Sequence, residues 1–363
     1  MSAALAKTHP LLRAWPRAAR DTLPLALWDA QAIAAATGGV ASEDFQASGV
    51  EMDSRDVRPG DLFIALKGEA MDGHRFLDMA FAKGAVAAIT DRVVDFPHVL
   101  VSDTTEALHD LAQAARERSE AVRIGVTGSV GKTGVKEAIF NALDRASRGG
   151  AHRSVRSYNN HVGVPLSLAR LPARARFGVF EMGMNHEGEI APLADHVRPN
   201  VALITTIAPA HIENLGSIEA IADEKAQIFT GLAEGGTAII PADLPETDRL
   251  IGHAEKLGVT IVTFGRSERA NVRLLDAIPN EHGGSLVTAD MGDQRVCFTI
   301  AEPGDHWVTN ALAVMAAVRA AGGDLASAGL ALAEMGGLKG RGERHRVAVP
   351  GGKALFIDES YNA

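Results

Sequence analysis

The segment Thr127-Gly-Ser-Val-Gly-Lys-Thr133 gathers residue types that can hold a nucleoside triphosphate. A β-prone run with Val122, Ile124 and Val126 leads into a turn with glycines at 128 and 131. Lys132 and Thr133 then open a segment of helical character. Glycines let backbone N–H groups curl around a phosphate with no Cβ in the way. The helix N-terminus adds partial positive charge, Lys132 adds a full one, and the Thr133 hydroxyl can ligate Mg²⁺. The general phosphate-loop motif asks for glycine where this chain has Val126, so the loop here is a tighter Thr-Gly-x-x-Gly-Lys-Thr form. The competing reading is a glycine-rich strand-to-helix turn with a surface lysine. A nucleoside triphosphate site accounts for more of the residues.

Other chemistry-bearing residues fall where strands end. Phe180-Glu181-Met-Gly-Met184 puts a carboxylate at the end of an apolar run, where it can meet Mg²⁺ beside phosphates or stand as a solvated strand-end acid. His211 emerges after Ile204-Thr-Thr-Ile-Ala-Pro-Ala, on the same sheet edge as Lys132 and Glu181 if the strands run parallel. Asp223-Glu-Lys225, in the next helix, reads by itself as a solvated charge run. Asn159-Asn160 before Gly163-Val-Pro165 forms a turn that caps a helix, with amides able to hold a polar substrate.

The elements that position these residues separate into regions. Residues 25–115 hold a short helix (28–37), short strands within 49–66, a helix over 74–83, a strand over 85–90 and an amphipathic helix over 105–120. From residue 121 the rhythm becomes strand, turn, helix. Apolar runs at 122–127, 177–181, 201–206, 237–240 and 260–264 alternate with helical stretches such as 132–145 and 218–232. That rhythm predicts an α/β fold with a mostly parallel sheet covered on both faces and ligands at the strands' carboxyl ends. Residues 271–300 read as antiparallel strands around the turn at 281–284, and helices over 307–321 and 325–335 follow. Ala354-Leu-Phe-Ile-Asp358 reads as the first strand of a further α/β unit. The expectation is a chain whose third domain is missing, the alternative being a simple C-terminal edge strand.

Composition narrows the class. The 363 residues suit two to three domains, and 46% hydrophobic with 22% charged residues is ordinary for a water-soluble globular protein. A net charge of −9 argues against nucleic acid or an acidic membrane surface as the partner, so an anionic ligand needs local positive charge such as Lys132 supplies. One cysteine, Cys297, excludes an internal disulfide and fits a reducing compartment. No apolar run approaches the ~20 residues of a membrane span. Lys7, Arg13, Arg17 and Arg20, broken by Pro10 and Pro16, make residues 1–24 a frayed leader rather than a signal peptide.

Together these residues resemble the Mur ligase family, which builds the peptide stem of the bacterial cell wall. The resemblance runs from Gly49 to the final residue. Its markers include Asp53-Ser-Arg55, Gly60-Asp-Leu-Phe-Ile-Ala-Leu-Lys-Gly68, Asp72-Gly-His74, the 127–133 loop and Asn159-Asn-x-x-Gly-Val-Pro165. Glu181-Met-Gly-Met-Asn, Ala210-His211, Lys225, Gly304-x-His306-x-x-x-Asn310, Gly340-Arg341 and Asp358-x-Ser-Tyr-Asn continue the series. The loop is shared by all Mur enzymes and by folylpolyglutamate synthase. The 60–68 segment and the Asp-x-Ser-Tyr-Asn ending point to members that add D-alanyl-D-alanine.

The resemblance implies an ATP-dependent ligase of the cytoplasm, acting as a monomer with no nucleic-acid partner and no membrane insertion. ATP phosphorylates the terminal carboxylate of a UDP-N-acetylmuramoyl-tripeptide, and the amine of D-alanyl-D-alanine attacks the acyl phosphate. Thr127, Gly128, Ser129, Val130, Gly131, Lys132 and Thr133 hold the triphosphate. Thr133 and Glu181 bind one Mg²⁺ and His211 a second, while Lys225 matches a lysine that is carbamylated in related ligases and can then join the metal set. Lys132, His211 and Lys225 are the implied catalytic residues. Asn310 resembles the adenine contact, and Arg341 and Asp358 resemble residues that meet phosphate and ribose. Ser54 and Arg55 resemble part of the UDP-sugar site, with Asn159 and Asn160 on the substrate side. The implied domains are 25–115 for the UDP-muramoyl peptide, 116–340 for ATP, and 341–363 as linker and start of a Rossmann-like C-terminal ligase domain. Gly134 stands where the family usually has serine or threonine, and Trp307 where many relatives have asparagine. The alternatives are another Mur-type or folate ligase, a P-loop kinase, and a nucleotide- and UDP-sugar-binding module with little turnover.

Overall fold

The computed structural model describes residues 26–68, 71–281, 283–337, 343–349, 352–358 and 360–362. The 1–24 leader and Arg341 lie outside the described residues.

The N-terminal region runs β1 (Trp28–Asp29), α1 (Ala30–Thr37), β2 (Val40–Ala41), β3 (Gln46–Ala47), β4 (Gly49–Glu51), β5 (Asp61–Ile64), α2 (Leu77–Ala82), β6 (Ala87–Thr90), β7 (His98–Leu100) and α3 (Thr104–Glu117). Strands β4, β5, β6 and β7 are parallel neighbours, and β2 closes the far edge antiparallel to β7. Leu62 and Ile64 face a core shared with α1 and α3, whereas Phe63 faces a smaller one under α2. Two differences from the sequence expectation have local causes. Trp28 precedes the first helix in a two-residue strand paired with Gln46–Ala47, because Asp29 caps that helix by accepting from the Ala32 N–H. The helix expected over 74–83 is split into a 3₁₀ turn (Gly73–Phe76) and α2, because the buried His74 ring is held between Asp72 and Asp91.

The central region contributes β8 (Val122–Thr127), α4 (Lys132–Ser147), β9 (Ala151–Arg153), α5 (Gly163–Ala169), β10 (Phe177–Glu181), α6 (Ile190–Val197), β11 (Val201–Ile204), α7 (Ile212–Leu215), α8 (Ile218–Ala226), β12 (Thr237–Pro241), α9 (Thr247–Lys256), β13 (Thr260–Gly265), β14 (Val272–Pro279), β15 (Ser285–Asp290), β16 (Arg295–Ile300), α10 (Asp305–Ala320) and α11 (Leu325–Glu334). Nine strands form one sheet in the order β16-β15-β14-β13-β12-β11-β8-β10-β9. Pairing is parallel from β9 to β14 and antiparallel only at β15 and β16.

The run Val201-Ala-Leu-Ile204 shows why the sheet is parallel and covered. Val201 and Leu203 enter the core under α4, α10 and α11, while Ala202 and Ile204 enter the opposite one under α6, α8 and α9. A strand buried on both faces needs no polar alternation. The helix expected over 218–232 gives way after Ala226 to a 3₁₀ turn (Gln227–Gly231), where a Cβ on Gly231 would come within 2.4 Å of the Ala194 backbone.

The two regions are packed together through α5. The Trp28 indole N–H donates to the Ala169 carbonyl (2.8 Å), and Arg170 pairs with the buried Glu51 (2.6 Å). At the C-terminal end, the strand expected over 354–358 does not stand alone. It lies within β18 (Gly352–Asp358), which forms an antiparallel hairpin with β17 (Glu343–Val349).

His152 on β9 donates from Nε2 to the Ser167 carbonyl (2.8 Å) and lies against Phe180. Burial pushes its pKa down to about 4. The unfolded chain binds a proton on this ring below about pH 6.5 and the folded chain does not, so stability present above that pH is lost as pH falls towards 4. His152→Gln should flatten the pH dependence of the unfolding free energy from urea titration between pH 6.5 and 4 by roughly 1–3 kcal/mol. An unchanged slope would contradict this.

Candidate active site

Strands β10, β8 and β11 are parallel neighbours, with Glu181 level with Val126 and Ile204 level with Thr127. The loops that follow them therefore open at one edge of the sheet. The chain leaves β8 towards β9 on one side and leaves β11 towards β12 on the other, so the two loops diverge. Such a divergence opens the crevice where ligands sit in open α/β sheets.

The phosphate loop begins later than the general motif. Val126 is buried inside the ladder, paired with both Glu181 and Leu203, so the turn starts only at Gly128. Gly128 has φ 145°, and a Cβ there would lie 2.0 Å from Thr205 Oγ1. That hydroxyl donates to the Val130 carbonyl (2.5 Å), while the Ser129 N–H donates to the Thr206 carbonyl (2.9 Å). Ser129 Oγ donates to the Ala208 carbonyl and accepts the Ala208 N–H, both at 3.0 Å. The segment 205–208 thus shapes the loop. Sequence reading missed Thr205, whose only signal was the Thr-Thr pair at the end of a strand.

Helices α3, α8 and α11 have side-chain caps from Asp103, Ser217 and Asp324. Helix α4 is capped by Gly131 (φ 86°) with no side-chain acceptor, which leaves its first amides to an anion. Lys132 Nζ folds back onto the Gly128 carbonyl (2.7 Å). Thr133 Oγ1 lies 3.3 Å from Ser157 Oγ, and the buried Thr127 hydroxyl has no hydrogen-bond partner among the described residues.

Glu181 is 1% exposed. Its Oε1 accepts from Asn159 Nδ2 (2.8 Å), whereas Oε2 accepts no hydrogen bond among the described residues. The neighbouring Asn160 instead caps α5 by accepting the Gly163 N–H (2.9 Å). Facing Oε2 at 3.9 Å is the ammonium of Lys136, a fully buried lysine that sequence reading missed. Lys136 donates to the carbonyls of Ser154 (2.9 Å) and Arg156 (2.7 Å) and pairs with Glu137 (3.0 Å). Its signal was a lysine at helical spacing from the apolar Ile139 and Leu143.

His211 is exposed, with φ 63° in the left-handed region that L-residues rarely adopt. Its pKa is lowered by partial burial, then by the charges of Lys225 and Lys132. Lys225 is 1% exposed and is not the solvated charge that its sequence context suggests. Burial first, and the Lys132 ammonium second, push its pKa down to about 7. Glu224 turns away to accept the Gly188 and Ile190 N–H groups.

The N-terminal region reaches this edge through Asp56, which forms a two-pronged ion pair with Arg156 (2.7 and 2.9 Å). Beside it, Arg55 is exposed and grips Asp53 (2.7 Å), holding that carboxyl below its usual range, while Ser54 is buried with Oγ 3.3 Å from Met79 Sδ. Asn310 on α10 lies against Gly131, where a Cβ would stand 3.1 Å from Oδ1. Asp358 lies at the end of β18, where its Oδ1 accepts the Ser360 N–H (3.0 Å). Arg341 lies outside the described residues.

Residues 126–318 match the Mur ligase middle domain, and residues 46–123 match the catalytic domain of the Mur ligase family. The chain belongs to the Mur ligase family. It is 33% identical to the UDP-N-acetylmuramoyl-tripeptide--D-alanyl-D-alanine ligase of Rickettsia prowazekii, over 87% of this chain and 71% of that protein. In three dimensions it is similar to MurF from Acinetobacter baumannii, with TM-score 0.80, 30% identity, and 94% of this chain and 74% of that one covered. MurF from Thermotoga maritima, in complex with ADP, has TM-score 0.68 and 28% identity over 87% of this chain and 71% of that one.

Lys136 is a buried charge with all its partners in place, and removing one member of such a set costs about 3–5 kcal/mol. Lys136→Met should lower the unfolding free energy by about that much in urea titration. A loss under about 1 kcal/mol would show that the ammonium is not needed to hold segment 154–156.

Proposed function

We propose that this Mur ligase joins D-alanyl-D-alanine to a UDP-N-acetylmuramoyl-tripeptide at the expense of ATP, in the cytoplasm. The observation that carries the reading is the shared sheet edge, where an uncapped helix, Lys132, the half-satisfied Glu181, His211 and Lys225 meet around the phosphate loop. A carboxylate is a poor electrophile because its charge repels nucleophiles. Transfer of the γ-phosphoryl group to it gives an acyl phosphate, whose phosphate is a good leaving group for the incoming amine. The work of the protein is to neutralise charge on the transferring phosphoryl group. The loop amides from Val130 to Lys132 and the Lys132 ammonium suit that task.

The donor set fits Mg²⁺. Among the described residues there is no group of three or more His, Cys, Asp or Glu side chains that could hold a metal. Mg²⁺ in phosphate sites takes only one or two carboxylates, with phosphate and water supplying the rest. Glu181 Oε2, buried and without a hydrogen bond among the described residues, is such a carboxylate oxygen, and the Thr133 hydroxyl follows the phosphate loop. In this reading Thr133 and Glu181 hold one ion, and His211 with a modified Lys225 holds the other. Mg²⁺ bound there would neutralise phosphate charge.

Lys225 has the chemistry for that modification. A pKa of about 7 leaves a large share of free amine at neutral pH. The amine nitrogen can add to the carbon of CO₂ and release a proton, which gives a carbamate anion. The change turns a repulsion with Lys132 into an attraction. On the substrate side, the exposed Arg55 guanidinium suits a diphosphate, and the Asp56–Arg156 pair joins its loop to the segment that carries Ser157, whose Oγ lies against Thr133 Oγ1 on α4.

Phosphate release measured with each substrate omitted in turn should require ATP, UDP-muramoyl-tripeptide and D-alanyl-D-alanine together. ADP formed without the dipeptide and without free phosphate, the phosphoryl group being retained on a hydroxyl, would indicate a kinase instead. Lys132→Ala should reduce turnover by at least about 10³-fold, the order expected for a residue that stabilises transition-state charge. Lys225→Ala should be inactive and regain activity with short carboxylates such as acetate or formate. An undiminished Lys225→Ala enzyme would exclude the carbamate.

A further inference from the structure

Gly134 is the third residue of α4, within its first turn, a place where glycine is the weakest helix former apart from proline. The space its side chain would occupy is already filled. A Cβ at 134 would lie 2.9 Å from Trp307 Cη2 and 3.0 Å from Cζ2. One turn earlier, a Cβ at Gly131 would lie 3.1 Å from Asn310 Oδ1 and 3.3 Å from Nδ2. Residues three apart on a helix share a face. The cap glycine of α4 and the helical glycine three residues on therefore receive two side chains three apart on α10, the amide against Gly131 and the indole against Gly134.

The rest of α10 is anchored independently. Val308, Ala311, Leu312 and Met315 are buried in the core beneath the sheet. Its first turn follows Gly304 with no side-chain cap, Asp305 at the surface pairs with Arg266, and His306 is exposed. Trp307 is the bulky group of that turn that seats on the phosphate-loop helix, three residues ahead of Asn310.

We propose that Gly134 and Trp307 form one size-matched contact that fixes the first turn of α10, and so Asn310, against the phosphate loop. Trp307 is then a positioning residue for the nucleotide. The proposal rests on the reading of the 127–133 loop as the ATP site. A serine or alanine at 134 forces the indole outward and lifts Asn310 from Gly131. Shortening the indole removes the clash and the brace together.

The test is a double-mutant cycle of Gly134→Ser and Trp307→Ala, with Gly134→Ala and Trp307→Phe as milder counterparts. ADP affinity is measured by calorimetry, and KM for ATP and kcat in the complete reaction. Gly134→Ser should weaken ADP binding at least tenfold in the native background and less than threefold in the Trp307→Ala background. The loss should fall on KM for ATP rather than on kcat. Equal penalties in both backgrounds, or a Gly134→Ser protein that binds ADP normally, would overturn the pairing. If the larger substitutions prevent folding, the same comparison with Gly134→Ala and Trp307→Phe decides it. A native chain that binds no ADP would remove the ATP-site reading itself, an outcome distinct from additivity among proteins that do bind.

Discussion

The site depends on a repulsion built into the fold. Lys225 places an amine in the interior near the Lys132 ammonium, and His211 feels both. Three groups able to carry positive charge thus converge at one end of β8 and β11. An arrangement of that kind costs stability in the isolated protein and is relieved by any anion that enters. In the proposed reading, a bound triphosphate and a carbamate formed on Lys225 are the two negative charges that relieve it.

The opposite sign of charge is managed with equal economy. Glu181 is buried, yet among the described residues only one of its carboxylate oxygens accepts a hydrogen bond, and Lys136 supplies counter-charge to the other at a distance too long for one. The Lys136 ammonium also clamps the 154–156 backbone, and the segment continues through Arg156 to Asp56 of the N-terminal region. The proposed phosphate and sugar sides of the crevice are therefore connected through short, mostly charged contacts. Backbone tension accompanies them, since Arg156 itself has φ 54°.

Much of this was legible in the sequence because it is written in local patterns. The strands 122–127 and 177–181 were given to the residue by their apolar runs, and glycines 128 and 131 by the turn they require. What escaped was long-range. Lys225 reads as a surface charge between Glu224 and Ala226, and only the packing of α8 against the sheet buries it. Lys136 escaped for the same reason, because helical spacing says which residues share a face but not that the face includes a cation. Thr205 became visible as a loop support only when β11 was seen to lie beside β8. The two positions that depart from the family pattern, Gly134 and Trp307, looked like independent substitutions until the fold brought them into contact.

The most direct test of the central account is a crystal structure of the chain with a non-hydrolysable ATP analogue and Mn²⁺, read by anomalous scattering. The account predicts phosphates cradled by Gly128 to Lys132 and a metal peak bonded to Glu181 and Thr133. Phosphates bound away from that loop, or a metal peak that leaves Glu181 untouched, would contradict it.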